Sequence, residues 1–396
     1  MLKNKLDRYD RILMSLLSLW LLVDMINGFF LGHGVPLPVS QIYKPLVVLL
    51  IVLWHPKDRK INKFTVSSLF YVLIYGMVTM LGDASIVKSI TLILKPVTSI
   101  IIFLYFTRLF RVYDNELVLK RFINIILFSI LIVIVNILLG LKGIGYHSYD
   151  TNDQELGFCG FFYSPNELGG VFAVLYPLVL AYVICNKSRL VYIATIIIFA
   201  ISCVLMSTKS SFLILAIAVV LITYSYGTKF ERRFIVFASV SGIYVLYRII
   251  DMLLSSEHAA IERLNFFIER NGLLWALTSG RLEKWEDMST MFYDSDFFFK
   301  VFGLGQSDYE PVEMDPYDLL LNCGYIGLLV LMMMYYKLIR EPYKLSGNIF
   351  SKAVLISNCL LVFMSIITGH IFFSSMAGML IALSNSLLYY RPKSLQ

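Results

Sequence analysis

The chain has 396 residues, of which 58% are apolar and 15% charged, and its formal net charge is +7. A soluble domain averages about 45–50% apolar and about 25% charged residues. The composition therefore excludes a soluble enzyme, a secreted disulfide scaffold and a disordered chain. Lipid must be the solvent for most of this protein.

Twelve apolar stretches separated by polar loops predict an all-α, polytopic integral membrane protein, because a helix needs about 20 apolar residues to cross a bilayer. The expected spans are residues 12–31, 39–54, 66–82, 85–107, 122–141, 168–185, 190–206, 211–226, 234–252, 317–336, 353–369 and 371–390. They predict three parts: residues 1–252 with spans 1 to 9, residues 253–316 as a small helical extracytoplasmic domain, and residues 317–396 with spans 10 to 12 and a tail.

Basic residues alternate along these spans. Threading the twelve spans puts 23 of the 34 Lys and Arg residues on one side, including those of both termini. Because basic loops stay in the cytoplasm, both termini are predicted to be cytoplasmic. The long loop on the other side has twelve acidic and five basic side chains. It would repel a phosphate backbone, so a nucleic-acid partner is not expected.

Several ionisable side chains fall within the outer half of the predicted spans, where each needs a partner or a wet cavity. Asp24 and Lys44 lie at nearly equal depth in spans 1 and 2, which predicts a structural ion pair. Lys88 and Lys95 share one face of span 4 and leave a cationic surplus. A cationic, outward-facing cavity suits an anionic lipid head group or an anionic solute, so an enzyme and a transporter both remain open.

Short motifs follow in a distinctive order along the chain. They are residues 160–168 (GFFYSPNEL), Ser207-Thr208-Lys209-Ser210, Ser279-Gly280-Arg281 with Trp285, Gly303-Leu304-Gly305, Glu313-Met314-Asp315 and Gly324-Tyr325-Ile326-Gly327. In this order they resemble the O-antigen and capsular repeat-unit polymerases, which form one superfamily with the O-antigen ligases. The likeness covers most of the chain in architecture.

This resemblance implies a membrane glycosyltransferase at the outer face of the bacterial cytoplasmic membrane. Its donor and acceptor would be polyprenyl-diphosphate-linked glycans, as in O-antigen, capsule or other exopolysaccharide synthesis, with no cofactor and no metal ion. A flippase and a chain-length regulator would be partners. The alternatives are a ligase of the same superfamily, a transporter of anions or lipid-linked oligosaccharides, and a non-catalytic chain-length partner.

Cations are expected around the donor, because negative charge grows on the leaving diphosphate as the glycosidic bond breaks. Arginine grips phosphate oxygens with a planar fork and lysine supplies a point charge. Lys209 and Arg281 are the first choices, and Arg248 near the outer end of span 9 is a third. The alternatives are a snorkelling lysine, a surface ion pair and an interface anchor.

Secondary candidates for substrate binding are Lys88, Lys95 and Asn166. Asn166 belongs to Ser164-Pro165-Asn166-Glu167, which reads as a helix start with Ser164 or Asn166 as the cap. A helix N-terminus presents free N–H groups to anions, so a substrate contact and a capping role are compatible there.

A general base must take the proton of the acceptor hydroxyl. Ligases resemble one another in a histidine just before the span that follows the long loop. Here Glu313 stands at the matching place and Asp315 two residues later, which favours a polymerase that uses a carboxylate. His370, in the turn between the last two spans, is the third candidate. Asp315 also suits a helix N-cap, and His370 suits a hydrogen bond to a helix end.

Overall fold

The structure is a computed structural model that describes residues 3, 5–80, 85–151, 154–236, 281–305 and 311–391. Its first nine helices are α1 (Arg8–Ser18), α2 (Trp20–Gly32), α3 (Val39–Trp54), α4 (Arg59–Thr79), α5 (Ile86–Val112), α6 (Asn115–Gly140), α7 (Pro165–Asn186), α8 (Arg189–Met206) and α9 (Lys209–Tyr226). Later helices are α10 (Arg281–Asp294), α11 (Phe297–Phe302), α12 (Asp315–Lys344), α13 (Ser351–Ile367) and α14 (Gly378–Ser386), followed by a 3-10 turn at Leu387–Tyr389.

Seven helices among the described residues are long and apolar enough to cross a membrane, namely α4 to α9 and α12. The bent pair α1 and α2, which meet at 45°, makes an eighth if it counts as one span. Three shorter apolar helices, α3, α13 and the last helical stretch Gly378–Tyr389, fall below that length. The all-α polytopic architecture is therefore borne out, whereas the count of twelve spans is not confirmed. The predicted ninth span lies mostly outside the described residues.

The all-α prediction misses one β-hairpin between α6 and α7. Strand β1 (Tyr146–Thr151) pairs antiparallel with β2 (Gln154–Gly160). The buried Asn136 side chain of α6 donates to the Cys159 carbonyl at 2.5 Å and accepts the Phe161 N–H at 2.9 Å. Hydropathy does not reveal such side-chain capture of backbone groups, which is why the sequence indicated only a loop.

Helix α7 lies at the centre of the bundle. In its most apolar window 83% of the residues are buried, against 28% to 50% in the other candidate spans. It packs against α8, α9, α13 and α14, as expected for a helix that is apolar all round. At its N-terminal end a Cβ on Gly170 would lie 3.2 Å from the Ala377 Cβ, so this glycine permits close packing there.

Helix α12 is broken at Gly324, whose φ of 63° is not helical. The break frees carbonyls that the neighbouring loop takes up: the N–H of Leu304 donates to Leu321 at 2.8 Å, and the N–H of Gly305 donates to Asn322 at 3.2 Å. Residues 303–305 thus form a turn that is bonded to α12. Trp285 of α10 also packs on Tyr317 of α12, with ring centroids 4.5 Å apart.

The connections between helices gather at two ends of the bundle. At one end Lys3 N–H donates to the Val112 carbonyl at 3.0 Å, and the Asn115 amide donates to the Arg391 carbonyl at 2.9 Å. We call this end, where Lys3 and Arg391 lie, the basic end. The hairpin, residues 207–208 and residues 311–314 lie at the opposite end, which we call the hairpin end. The structure therefore brings the chain's two described terminal regions to the same end.

The predicted last span, residues 371–390, is wrong in its first part. Residues 369–377, here called the connector, are not helical, and α14 begins only at Gly378. The connector is largely buried. Its stretch Ile371-Phe372-Phe373 is apolar, so hydropathy could not separate it from a helix, whereas its hydrogen bonds go to side chains of other helices.

The predicted Asp24–Lys44 ion pair is confirmed and anchors this connector. The Lys44 ammonium lies 2.6 and 2.7 Å from the two Asp24 carboxylate oxygens. It also donates to the carbonyl and hydroxyl of Ser375 at 3.0 and 3.1 Å. The Trp20 indole N–H donates to the same carbonyl at 2.8 Å. The pair is therefore structural and ties α2 and α3 to the connector.

Replacing Lys44 with methionine should lower the free energy of unfolding by about 3–5 kcal/mol, because the buried Asp24 carboxylate loses its cation. Unfolding of purified protein in detergent, followed by circular dichroism, measures the change. Lys63→Met, at an exposed position of α4, is the matched control. A loss that does not exceed that of the control contradicts this role for the pair.

Candidate functional site

Three non-glycine residues in the described part of the chain have left-handed backbone conformations. They are Ser207, Glu313 and His370, with φ of 54°, 64° and 57°. Residues other than glycine rarely adopt this backbone conformation, and backbone strain of this kind concentrates at functional sites. All three lie in short connections at the hairpin end. Two of them, Glu313 and His370, are among the three candidate bases that the sequence predicts.

The turn at Glu313 and the turn at His370 are in direct backbone contact. A Cβ on Gly369 would lie 2.2 Å from the Glu313 carbonyl oxygen and 2.7 Å from the Met314 nitrogen. Gly369 also has a φ of +59°, so only glycine fits here. This close approach sets the chain around Glu313 against the start of the connector.

Asp315 holds the two turns together. Its side chain is buried, with 1% of the residue exposed, and one carboxylate oxygen accepts the N–H groups of Ile371 and Phe372 at 3.2 and 3.1 Å. Helix α12 begins at Asp315, but the cap position is Met314 and no side chain caps it. The capping alternative is therefore replaced by a bond between α12 and the connector.

Asp318 fixes the turn from inside the helix. Its two carboxylate oxygens accept the N–H of Val312 at 2.8 Å and the N–H of Met314 at 3.1 Å. Both neighbours of Glu313 are thus held by one buried side chain. Asp318 is also within electrostatic range of the half-buried His370, which faces the same cluster from the connector.

Arg281, the first residue of α10, reaches Glu313 from the side. A guanidinium nitrogen lies 3.0 Å from a Glu313 carboxylate oxygen, and another donates to the Ile367 carbonyl at 3.4 Å. The side chain of Arg281 is 13% exposed and that of Glu313 is 38% exposed. The buried Nε of Arg281 has no hydrogen-bond partner among the described residues, so the arginine retains a donor.

Lys209 lies at the same end but apart from this pair. It is exposed at the first position of α9, two residues after the left-handed Ser207. The following residue, Ser210, faces Gly169 of α7, whose added Cβ would be 3.9 Å from the hydroxyl oxygen. No ion pair within 4.0 Å joins Lys209 to Glu313 or to another acidic side chain in the described ranges. The structure thus brings Arg281, Glu313, Asp315 and His370 together and leaves Lys209 outside their contacts.

The secondary candidates are placed as follows. Ser164 caps α7 by accepting the Glu167 N–H at 3.4 Å, so Asn166 lies in the first turn behind the cap. Lys95 is half-buried in α5 within electrostatic range of Lys44. Lys88 is exposed in the first turn of α5. Arg248 lies outside the described residues.

The described ranges contain no group of three or more His, Cys, Asp or Glu side chains placed to hold a metal ion.

The family profile described as O-antigen ligase like membrane protein matches residues 12–246. The chain belongs to this O-antigen ligase-like family. It is therefore a member of the O-antigen ligase/polymerase superfamily, as the sequence motifs indicated. The match includes Asn166 and Lys209 and ends before Arg281, Glu313 and His370. A comparison with curated proteins finds no match.

In this O-antigen ligase-like protein, Glu167 and Ser374 also contribute to the connector, although the sequence motifs did not predict a role for either side chain. The Ser374 hydroxyl donates to a Glu167 carboxylate oxygen at 2.6 Å and accepts the N–H groups of Met376 and Ala377 at 3.1 and 3.2 Å. The available signal was an acidic residue in the first turn of an otherwise apolar span. Glu167 therefore ties α7 to the connector.

Replacing Asp315 with alanine should expose the connector to solvent exchange. Ile371 and Phe372 lose their shared acceptor, and an unpaired buried N–H costs about 1–3 kcal/mol. Hydrogen–deuterium exchange of a peptide spanning residues 369–377 should speed up by about tenfold or more.

The matched control for this substitution is Asp296→Ala. Asp296 is an exposed N-cap of α11 whose side chain makes no capping bond. Equal exchange of the connector peptide in Asp315→Ala and wild type contradicts the assignment.

Proposed function

We propose that this chain is a repeat-unit polymerase that joins polyprenyl-diphosphate-linked glycans at the hairpin end of the bundle. The observation that carries the proposal is the 3.0 Å contact between Arg281 and Glu313 where two strained turns meet. A cation for the diphosphate and a carboxylate for the acceptor proton stand side by side there. Membership of the superfamily supports a membrane enzyme of the ligase or polymerase kind.

In the proposed reaction the acceptor sugar hydroxyl attacks the anomeric carbon of the donor glycan. The new glycosidic bond forms as the bond from that carbon to the diphosphate breaks, with inversion at the carbon. The hydroxyl proton passes to the Glu313 carboxylate, and the electron pair of the broken bond leaves with the diphosphate. Arg281 stabilises that departing charge with its guanidinium donors, including Nε, which has no partner among the described residues.

Glu313 is the first choice for the base because its side chain is the more accessible carboxylate. It is 38% exposed, whereas Asp315 is buried against the N–H groups of the connector. We assign Asp315 to positioning, together with Asp318. His370 is the alternative base, since it occupies the neighbouring strained turn and is half-buried.

Lys209 and Arg248 are proposed to extend the cationic surface toward the rest of the donor diphosphate. Lys209 stands exposed at the N-terminus of α9, where free N–H groups add to its charge. Asn166, Lys88 and Lys95 are proposed as weaker contacts around the substrate. The two ends of the bundle support an orientation with the basic end in the cytoplasm, and thus with the site on the outer face of the cytoplasmic membrane. A flippase would deliver the substrate there and a chain-length regulator would limit the product.

A polymerase is favoured over a ligase by the residue at position 313. Ligases resemble one another in a histidine at that place, and this chain has a glutamate. The two activities differ in the acceptor, which is another lipid-linked repeat unit for a polymerase and a different molecule for a ligase. A transporter would move the substrate with its glycosidic bonds unchanged.

Purified protein given lipid-diphosphate-linked repeat units from the source strain should produce a ladder of longer glycans. Glu313→Gln should lower the turnover by about 10²–10⁴-fold through loss of the base. Arg281→Ala should lower it by about 10²–10³-fold through loss of charge stabilisation. Glycan gel electrophoresis and mass spectrometry of the products measure both changes.

The matched control is Glu286→Gln, which removes an exposed carboxylate from α10 and should leave the ladder unchanged. Full activity of Glu313→Gln beside an inactive His370→Gln would transfer the base to His370. Product on a different acceptor would identify a ligase, and translocation of intact substrate into proteoliposomes without a ladder would identify a transporter.

A further inference from the structure

A cavity of mixed polarity lies at the opposite end of the molecule from the candidate site. It has a volume of about 480 Å³ and lies between α1 and α6. Its lining combines basic, polar and apolar side chains: Leu6, Arg11, Met14, Ser15, Ser18, Leu19, Arg121, Asn124, Ile125 and Phe128. None of these residues takes part in the proposed glycosyl transfer.

Two arginines line the cavity. Arg11 and Arg121 are exposed, and neither guanidinium makes a hydrogen bond or ion pair within the described ranges. The Asn124 amide is likewise exposed and without a bond to the described residues. The Ser15 and Ser18 hydroxyls, by contrast, donate to backbone carbonyls of α1 at 3.0 and 2.7 Å. Three donor side chains around the cavity, Arg11 from α1 and Arg121 and Asn124 from α6, thus have no partner among the described residues.

The polarity of the lining changes with depth. Arg11 and Arg121 lie near the starts of α1 and α6 at the basic end, three and six residues after the first helical residues. Phe128 lies seven residues further along α6 than Arg121, which is about 10 Å at the helical rise. Leu19 lies between α1 and α2, at the break in that pair. The two arginines therefore lie toward the basic end of the cavity, and Leu19 and Phe128 lie further into the bundle.

We propose that this cavity binds an anionic phospholipid of the leaflet at the basic end. Arg11, Arg121 and Asn124 bind the phosphodiester and the other acceptor oxygens of the head group. An acyl chain follows Leu19, Ile125 and Phe128 inward. Basic pockets between membrane helices bind such head groups because lipid phosphate and guanidinium charges attract each other at the surface of the bilayer.

A small free anion fits the same cavity less well. Inorganic phosphate would satisfy the arginines and leave the apolar inner wall, with Leu19, Ile125 and Phe128, in contact with water. A phospholipid covers both parts of the lining at once. The location between α1 and α6, at the surface of the bundle, also lets a lipid enter sideways from the bilayer.

Native mass spectrometry of detergent-solubilised protein, titrated with dioleoylphosphatidylglycerol, tests the proposal. The double variant Arg11→Gln/Arg121→Gln should raise the apparent Kd by about 25-fold, and each single variant by about fivefold. Dioleoylphosphatidylcholine, which has the same chains and no net charge, should bind at least tenfold more weakly to wild type. Addition of 10 mM inorganic phosphate should leave the phosphatidylglycerol complex in place.

The matched control is Arg8→Gln/Lys120→Gln. It removes the same charge from the same two helices at exposed positions that do not line the cavity, and its Kd should stay within about twofold of wild type. Equal weakening in the control and the cavity variant would overturn the site in favour of diffuse charge attraction. Displacement of phosphatidylglycerol by inorganic phosphate would also overturn the proposal, because it would identify the ligand as a free anion.

The single variants keep the test decisive if the double variant does not fold. Size-exclusion elution and the far-ultraviolet circular dichroism spectrum should match those of wild type for each. An unchanged Kd in both folded single variants would also overturn the proposal.

Discussion

The structure depends on how the non-helical connector at residues 369–377 satisfies its backbone. The connector is largely buried, so its backbone N–H and carbonyl groups must find partners within the protein. Four helices supply these partners. Asp315 of α12 accepts two N–H groups, Lys44 of α3 and Trp20 of α2 donate to one carbonyl, and Glu167 of α7 orients the Ser374 hydroxyl that receives two more. Charged side chains, which are costly to bury in an apolar bundle, thus stabilise a non-helical segment.

Two acidic residues that are almost adjacent, Glu313 and Asp315, have different environments beside this segment. Asp315 is buried in structural hydrogen bonds, whereas Glu313, two residues earlier, is partly exposed and paired with Arg281. The left-handed conformation of Glu313 turns the chain sharply between these environments. Asp318 and the bare backbone of Gly369 hold that conformation in place. The proposed base is therefore held in place by its neighbours in the fold, and such preorganisation favours catalysis.

The sequence was informative where chemistry depends on residue type and depth. Equal depth in neighbouring spans predicted the Asp24–Lys44 pair. The motifs singled out Arg281, Glu313 and Asp315, and the turn between the last two spans singled out His370; the structure brings these four together. It was uninformative where backbone groups bond to distant side chains. The hairpin rests on Asn136 of α6, and the connector rests on residues up to about 350 positions away in the chain. A hydropathy window cannot register such contacts, so the apolar connector resembled the start of a helix.

The break in α12 at Gly324 has a mechanical consequence. The loop after α11 is hydrogen-bonded to the carbonyls of Leu321 and Asn322, and Trp285 of α10 packs at a tilt against Tyr317 in the first turn of α12. The outer segment of α12 therefore forms one packed unit with α10 and α11 on the hairpin-end side of Gly324. Since Arg281 is in α10 and Glu313 lies two residues before α12, this one unit positions both members of the ion pair.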